Sequence, residues 1–387
     1  MSTYVALLVL PWLLALGLTP PIARWSRAHG WLDHPRGRKN HTQPVPVLGG
    51  VAVFGTMMLG LLLVALFSPS IRAGLYGSGS LLGLAAGLAA ILALGVYDDR
   101  KDMPASLKLV AQLVIASGTW FLGFRCGAVE LPFGWMVSAS AIPSFIVTVC
   151  WIVVVTNAFN LIDGLDGLAA GVGILATLTI FLLAAGNEAT VPIVGTLALA
   201  GALSGFLRYN IPPARIFLGD SGAMGIGYTT AVLSLASYQK GPTAVVLIVP
   251  LLALGLPLLD TIVAIVRRAG EHLHEEGRRG FHPMRVTRAV FRADHGHIHH
   301  LLVRLGWSAR RVLFSLYVVS AGLGLLGLWT REASSDLRWV VWLSLLLSGL
   351  FALRLLERAV ARREHKRDRA VVVGLTSPKV RRRRAAG

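Results

Sequence analysis

The residues best placed to do chemistry lie in TNAFNLIDGLDGLAAG, from Thr156 to Gly171, between two long apolar stretches. Asn157, Asn160, Asp163 and Asp166 recur every third residue, which on a helix makes one polar stripe drifting slowly round the cylinder. A charged Asp at mid-membrane depth costs about 2.5–3.5 kcal/mol on insertion scales, so such residues face a cavity, a partner or a cation. Three more carboxylates stand beside apolar runs: Asp98 and Asp99 in YDDRKD, and Asp220 in FLGDSG. Gathered at low dielectric these groups repel, and one would keep its proton unless a cation neutralised the set. Oxygen donors without Cys suit a hard ion such as Mg2+, with Mn2+ fitting the same ligands, and Mg2+ binds through one or two carboxylates plus substrate phosphates. A phosphorylated substrate is therefore expected. For a single Asp the plainer alternative is a helix cap or a pairing with Arg100 or Lys108, but five together favour the cation.

Groups suited to phosphate surround these acids. Arg38, Lys39, His41, Lys101, Lys108 and Arg215 supply countercharge, and the Gly49–Gly50 pair and the Gly219 and Gly222 flanks of Asp220 would let backbone N–H groups approach an anion. The Gly pair serves equally as a helix contact in a membrane bundle. DHGHIHH, from Asp294 to His300, has neither an HExxH pattern nor a Cys nearby, so its imidazoles, beside Arg292 and Arg304, are read as phosphate donors ahead of a zinc site. His272, His274 and His282 read as surface-loop residues. Asp260, beyond Pro250 and Pro257 in an apolar run, either joins the site or pairs with a basic side chain.

The elements that must position these groups follow from composition. The chain has 387 residues, 55% hydrophobic and 14% charged, and this excludes an ordinary soluble domain. An all-α polytopic membrane protein is expected, with about eleven spans near 3–22, 47–67, 79–97, 107–123, 141–159, 165–186, 190–208, 222–239, 243–266, 311–329 and 338–356. Of the 37 Lys and Arg residues, 32 fall in or beside the segments that follow odd-numbered spans, and the remainder are Arg72, Arg125, Lys240, Arg331 and Arg338. The positive-inside rule then places the N-terminus outside and the C-terminus in the cytoplasm. The first twenty residues lack a basic n-region and an A-x-A site, and read as a retained span rather than a signal peptide.

The membrane unit is taken as 1–356, with cytoplasmic polar loops at 21–46, 98–106, 157–166, 208–221 and 267–310, followed by a basic tail at 357–387. The net charge of +18 reports topology first. Without aromatic stacking residues, the tail reads as an anchor at anionic headgroups, with no nucleic-acid partner. Cys126 and Cys150 make no disulfide framework, and Cys150, inside an apolar run, reads as a small buried hydrophobe.

YDD at 97–99, NAFNLIDGLDGLAAG at 157–171, FLGDSG at 217–222 and HIHH at 297–300 resemble the signature set of the polyprenyl-phosphate N-acetylhexosamine-1-phosphate transferases, glycosyltransferase family 4. The segment DHPRGRKNHTQPVPVLGG at 33–50 agrees, so the resemblance covers roughly residues 1–356. HIHH, in place of an HHH run, is similar to the branch that moves N-acetylglucosamine-1-phosphate to undecaprenyl phosphate. The resemblance implies attack of a polyprenyl phosphate on the sugar-bearing phosphate of a UDP-sugar, with release of UMP. Carried over by position, it implies Asp220 as Mg2+ ligand with Asn160 or Asp163 as partner, and Asp98 or Asp99 to deprotonate or orient the lipid phosphate. His297, His299 and His300 with Arg304 would hold the nucleotide phosphates. Lys39, Lys108, Asn157 and Arg215 are expected at the substrates, and Asp163 and Asp166 in the catalytic set, not necessarily as equivalents. Direct attack and a covalent aspartyl intermediate both remain open to these residues.

Two rival readings differ in what they require. A muramoyl-pentapeptide transferase would use the same site on another nucleotide. An ion-coupled secondary transporter would place its polar groups near the bilayer midplane, with access from both faces, whereas every polar cluster here falls on one face. A homodimer is compatible with such a bundle. The lipid substrate requires the site to open sideways to the bilayer.

Overall fold

The computed structural model describes residues 2–34, 43–76, 80–127, 129–130, 136–137, 140–187, 189–237, 251–252, 254–262 and 297–376. With no water in a bilayer core to satisfy N–H and C=O groups, apolar segments of this length must close their own backbone bonds as helices. The helices are α1 (Ser2–Ala28), α2 (Gly49–Phe67), α3 (Pro69–Tyr76), α4 (Ser80–Lys101), α5 (Ala105–Phe121), α6 (Ala141–Ile162), α7 (Leu168–Gly186), α8 (Thr190–Asn210) and α9 (Gly219–Ala236), then α10 (Ile298–Arg304), α11 (Ala309–Trp329) and α12 (Ser335–Thr376). Residues 255–262 are helical as well. Strands are confined, among the described residues, to two antiparallel pairs of two residues each, Leu32–Asp33 with Val45–Pro46 and Val129–Glu130 with Met136–Val137.

Seven of the described helices are long and apolar enough to cross a membrane. The chain is an all-α polytopic membrane protein. Helices α4, α5 and α9 occupy the ranges read from the sequence as the third, fourth and eighth spans, and of the ninth only 251–252 and 254–262 are described. The short α3 was not anticipated. It begins with Pro69, which suits a first helical turn because its missing N–H would be unsatisfied there anyway.

The bundle is organised around α9, every residue of which from Ser221 to Ala236 is buried. It packs against α2, α4, α6, α7 and α8, while α1 lies on α8 and α2, and α11 lies on α7. Small residues make this possible, as they do at helix interfaces in lipid, where backbones must approach closely to gain dispersion contact. A Cβ on Gly227 would lie 2.6 Å from Thr156 Cα and 2.8 Å from Val155 O. A Cβ on Gly50 would overlap the backbone of Gly222. The Gly49–Gly50 pair is thus a helix contact, and its N–H groups donate to Phe217 O at 3.0 Å and Leu218 O at 2.8 Å, bonds that leave neither for a phosphate.

At the periphery, α12 runs unbroken through residue 356, so the last apolar stretch and the start of the basic stretch share one helix. Only 6% of its apolar window is buried, against 83% for α8. Cys150, read as buried, is exposed on the outer side of α6, while Cys126 is buried as a free thiol. The α6 position faces away from the bundle, and an apolar run surrounded by lipid does not reveal which side that is.

Overpacking of a tight helix contact costs about 1–3 kcal/mol. Gly227→Val should therefore lower the unfolding temperature of the purified protein in detergent. Gly118→Val, where nothing lies within 4 Å of the added Cβ, should leave it unchanged.

Candidate active site

The side chains meet where the ends of α4, α5, α6 and α9 converge. The ammonium of Lys108, in the first turn of α5, lies 2.6 Å from Asp98 Oδ2 and 3.0 Å from Asp220 Oδ2. With the Asn160 amide turned to satisfy both neighbours, its oxygen accepts from Lys108 Nζ at 2.8 Å and its nitrogen donates to Asp220 Oδ1 at 2.9 Å. Asp98 is enclosed at 6% side-chain exposure and its other oxygen accepts from Met103 N at 2.7 Å, whereas Asp220 is 39% exposed. Asp98 is thereby consumed in holding Lys108 and the α4–α5 turn. Asp220, though bonded to Lys108 and Asn160, is the more accessible of the two acids.

Asp99 does something different. Its Oδ1 accepts from Asp220 N at 2.7 Å, and its Oδ2 accepts from Ser221 Oγ at 2.8 Å and Ser221 N at 3.2 Å. The first N–H groups of a helix have no partner within it; here a carboxylate from α4 caps α9 and favours the positive end of its dipole. Gly219, at φ 74°, supplies the left-handed turn that brings the chain into this cap.

The stripe read from the sequence divides into four tasks. Asn157 donates to Gln112 Oε1 at 2.6 Å, a contact inside the bundle, while Asn160 joins the Lys108 cluster. Helix α6 ends at Ile162, and a turn through Gly167, at φ 79°, starts α7. Asp163 is half-buried in that turn. Enclosure by protein, and then the negative charges of Asp220, Asp99 and Asp166, push its carboxyl well above the usual carboxylate range. Asp166 Oδ2 accepts from Ala214 N at 2.9 Å and so ties the turn to the loop between α8 and α9. The same turn is held by Asn210 Oδ1 accepting from Gly167 N at 3.0 Å and by Tyr317 OH donating to Gly167 O at 2.6 Å.

The histidines come to this turn from α10. A Cβ on Gly164 would lie 2.5 Å from His299 Nε2, which has no hydrogen-bond partner and is buried. Burial, and then neighbouring His300, push His299 down to about 3, so its imidazole is neutral at physiological pH and acts through a hydrogen bond rather than a charge. The His299 and His300 rings lie 4.2 Å apart. Asp260, whose partner the sequence left open, accepts from Ile298 N at 2.8 Å and lies 2.8 Å from His297 Nδ1. It positions the histidine helix instead of pairing with a Lys or Arg.

Arg215 is exposed on the α8–α9 loop, Arg304 is exposed and forks onto Glu364, and Lys39 with Arg38 and His41 falls outside the described residues. Residues missed from sequence are Gln112, Ser221, Asn210 and Tyr317. A lone Gln within the apolar run at 107–123 was the available signal for the first, since buried polar groups need partners; the others carry no comparable mark.

Among the described residues no group of three or more His, Cys, Asp or Glu side chains could by itself hold a metal. The donor set still fits Mg2+, which needs only one or two protein carboxylates and takes its other oxygens from phosphate and water. Asp98, Asp220 and Asn160 already place three oxygens around one positive centre, the Lys108 ammonium.

The site thus combines carboxylates, a lysine ammonium and the neutral imidazole of His299. Residues 81–238 match the sequence pattern of glycosyl transferase family 4. The chain is 31% identical over 342 residues to the probable undecaprenyl-phosphate N-acetylglucosaminyl 1-phosphate transferase of Bacillus subtilis, covering 87% of this chain and 85% of that protein. It is 32% identical over 321 residues to the decaprenyl-phosphate N-acetylglucosaminephosphotransferase of Mycobacterium tuberculosis H37Rv, covering 78% and 76%. Against the undecaprenyl-phosphate alpha-N-acetylglucosaminyl 1-phosphate transferase of Escherichia coli K12 it is 25% identical over 334 residues, covering 82% of each. The chain belongs to glycosyl transferase family 4, in the branch of polyprenyl-phosphate N-acetylglucosamine-1-phosphate transferases.

The cap assigns Asp99 a measurable structural effect. Asp99→Ala removes the acceptor of three contacts and should destabilise the protein by about 1–3 kcal/mol, read as a lower thermal midpoint in detergent. An unchanged midpoint would remove Asp99 as the cap of α9.

Proposed function

We propose that the chain transfers N-acetylglucosamine-1-phosphate from UDP-N-acetylglucosamine to undecaprenyl or another polyprenyl phosphate, releasing UMP and starting a cell-envelope polysaccharide. The observation that carries this reading is the convergence of Asp98, Lys108, Asn160 and Asp220, with Asp163 beside them, in a chain whose relatives are named for this transfer. An oxygen of the lipid phosphate attacks the sugar-bearing phosphorus, a new P–O bond forms, and the bond to the UMP oxygen breaks. Such transfer is mainly positioning and charge neutralisation.

Each residue has a part in that process. Lys108, released from Asp220 when substrate enters, supplies countercharge to a phosphate oxygen. Asp98 keeps its ammonium in reach, and Asp99 sets the N-terminus of α9 and with it the direction of Asp220. Neutral His299, with His300 beside it, donates N–H bonds to the nucleotide phosphates, and the Asp163–Gly167 turn lets them approach. Mg2+, held by Asp220 with Asn160 and Asp163, would supply Lewis-acid neutralisation of the pyrophosphate oxygens.

The site is read as cytoplasmic in a bacterial inner membrane, with eleven spans, the N-terminus outside and the C-terminus inside; the distribution of Lys and Arg supports this. The lipid phosphate then arrives from the inner leaflet and the nucleotide from the cytoplasm.

Purified protein given UDP-N-acetylglucosamine, undecaprenyl phosphate and Mg2+ should release UMP. Release only with the muramoyl-pentapeptide nucleotide would reassign the substrate, and release with neither would end the reading. Asp220→Asn should reduce turnover by about 100-fold or more, with insertion and folding retained, because a group that neutralises transition-state charge is lost. Near-normal turnover would remove Asp220 from the metal. A cysteine placed at Ser377 should resist an impermeant thiol reagent in intact cells, and external labelling would overturn the orientation.

A further inference from the structure

We propose that the part of α12 from Leu353 onward is a clamp on α10, and that Glu364 is a positioning residue for the nucleotide end of the site. The inference rests on the reading of His299 and His300 as nucleotide ligands. Helix α10 has seven residues, too few to hold its shape alone, since isolated helices below about 12 residues are marginal in water. Asp260 holds its first turn through His297 and Ile298 N. Its far end and outer face are held by α12.

Three contacts make that hold. Leu301 packs with Leu353 and Val360 in a small apolar cluster of their own, rimmed by Ile298, Leu305, Leu350 and Leu356. Arg304 Nη2 donates to Glu364 Oε1 at 2.7 Å and Oε2 at 3.0 Å, and Arg304 Nε donates to Oε1 at 3.1 Å. The guanidinium of Arg363 lies against Gly306, whose φ of 84° turns the chain from α10 towards α11. Leu353, Val360 and Glu364 are seven and four residues apart, one face of one helix.

The geometry connects this face to the histidines. His300 and Arg304 are four residues apart on α10 and share a side of it. Anchoring Arg304 therefore fixes the rotation of α10 about its axis. One residue of slip turns a helix by about 100°, which would swing His299 away from Gly164. The fork of Arg304 is spent on this anchor, so Arg304 acts on substrate through α10 rather than by touching phosphate. An otherwise little-packed helix, 6% buried over its apolar window, gains a task at its cytoplasmic end.

The pair is 44% and 50% exposed, so its loss leaves the bundle folded and its effect local. Steady-state kinetics of the full chain should show Glu364→Gln raising KM for UDP-N-acetylglucosamine about threefold and Glu364→Arg about tenfold. KM for the lipid phosphate and kcat should stay within about twofold, and the exchanged pair Arg304→Glu with Glu364→Arg should recover most of the loss. Hydrogen exchange of the 298–304 amides, measured without substrate, should speed up in Glu364→Arg and slow again in the exchanged pair. Unchanged exchange in Glu364→Arg overturns the clamp whatever the turnover. Altered exchange with an unaltered nucleotide KM, or an exchanged pair that does not recover, overturns the positioning role. A wild-type protein that releases no UMP removes the functional reading, while the exchange arm still judges the clamp.

Discussion

One ammonium held among three oxygens is the interaction on which the site depends. Lys108 and Asp98 are both enclosed, with side-chain exposures of 12% and 6%. Removing one partner from such a buried pair strands the other charge, at a cost of about 3–5 kcal/mol. Because the third oxygen belongs to Asn160 and the remaining partner is Asp220, the cluster ties the ends of four helices to one point. It also leaves the site crowded with carboxyl groups, with Asp99 and Asp163 close by. That crowding favours a cation over further carboxylates, and a phosphate follows once the cation is present.

Around this point the protein separates holding from reacting. Asp99 and Asp166 spend oxygens on backbone N–H groups, of α9 in one case and of the α8–α9 loop in the other. Asp98 spends its own on Lys108 and Met103. The open acids, Asp220 and Asp163, lie between them. Glycines set the distances: Gly164 makes room for His299, and Gly227 and Gly50 draw α6 and α2 onto α9. A bulkier residue at any of these would move a charge by an ångström or more, a displacement that weakens orientation-dependent catalysis.

All of these groups sit at helix ends on one side of the bundle, while the middles of α7, α8 and α9 are packed with apolar and small residues. A coupled transporter needs its polar groups near the midplane. The distribution here suits an enzyme whose lipid substrate stays in the bilayer while its second substrate comes from water.

By itself the sequence determined the class of fold, because nineteen or more apolar residues in lipid have no alternative to a helix, and it singled out acids and histidines through their cost in an apolar setting. It also marked Asp163 to Gly167 as a break, since its glycines interrupt the helical period. It could not determine how five acids of one type divide their work. Whether an Asp caps a helix, ties two loops together or faces the Lys108 cluster from another helix depends on neighbours 48 to 122 residues away in the chain, and those contacts exist only after packing. The same limit hid Asn210 and Tyr317, and it left the C-terminal stretch as a basic tail. Only the tertiary structure, by continuing α12 past residue 356, sets Glu364 against Arg304, because an ion pair 60 residues apart in sequence has no local signature.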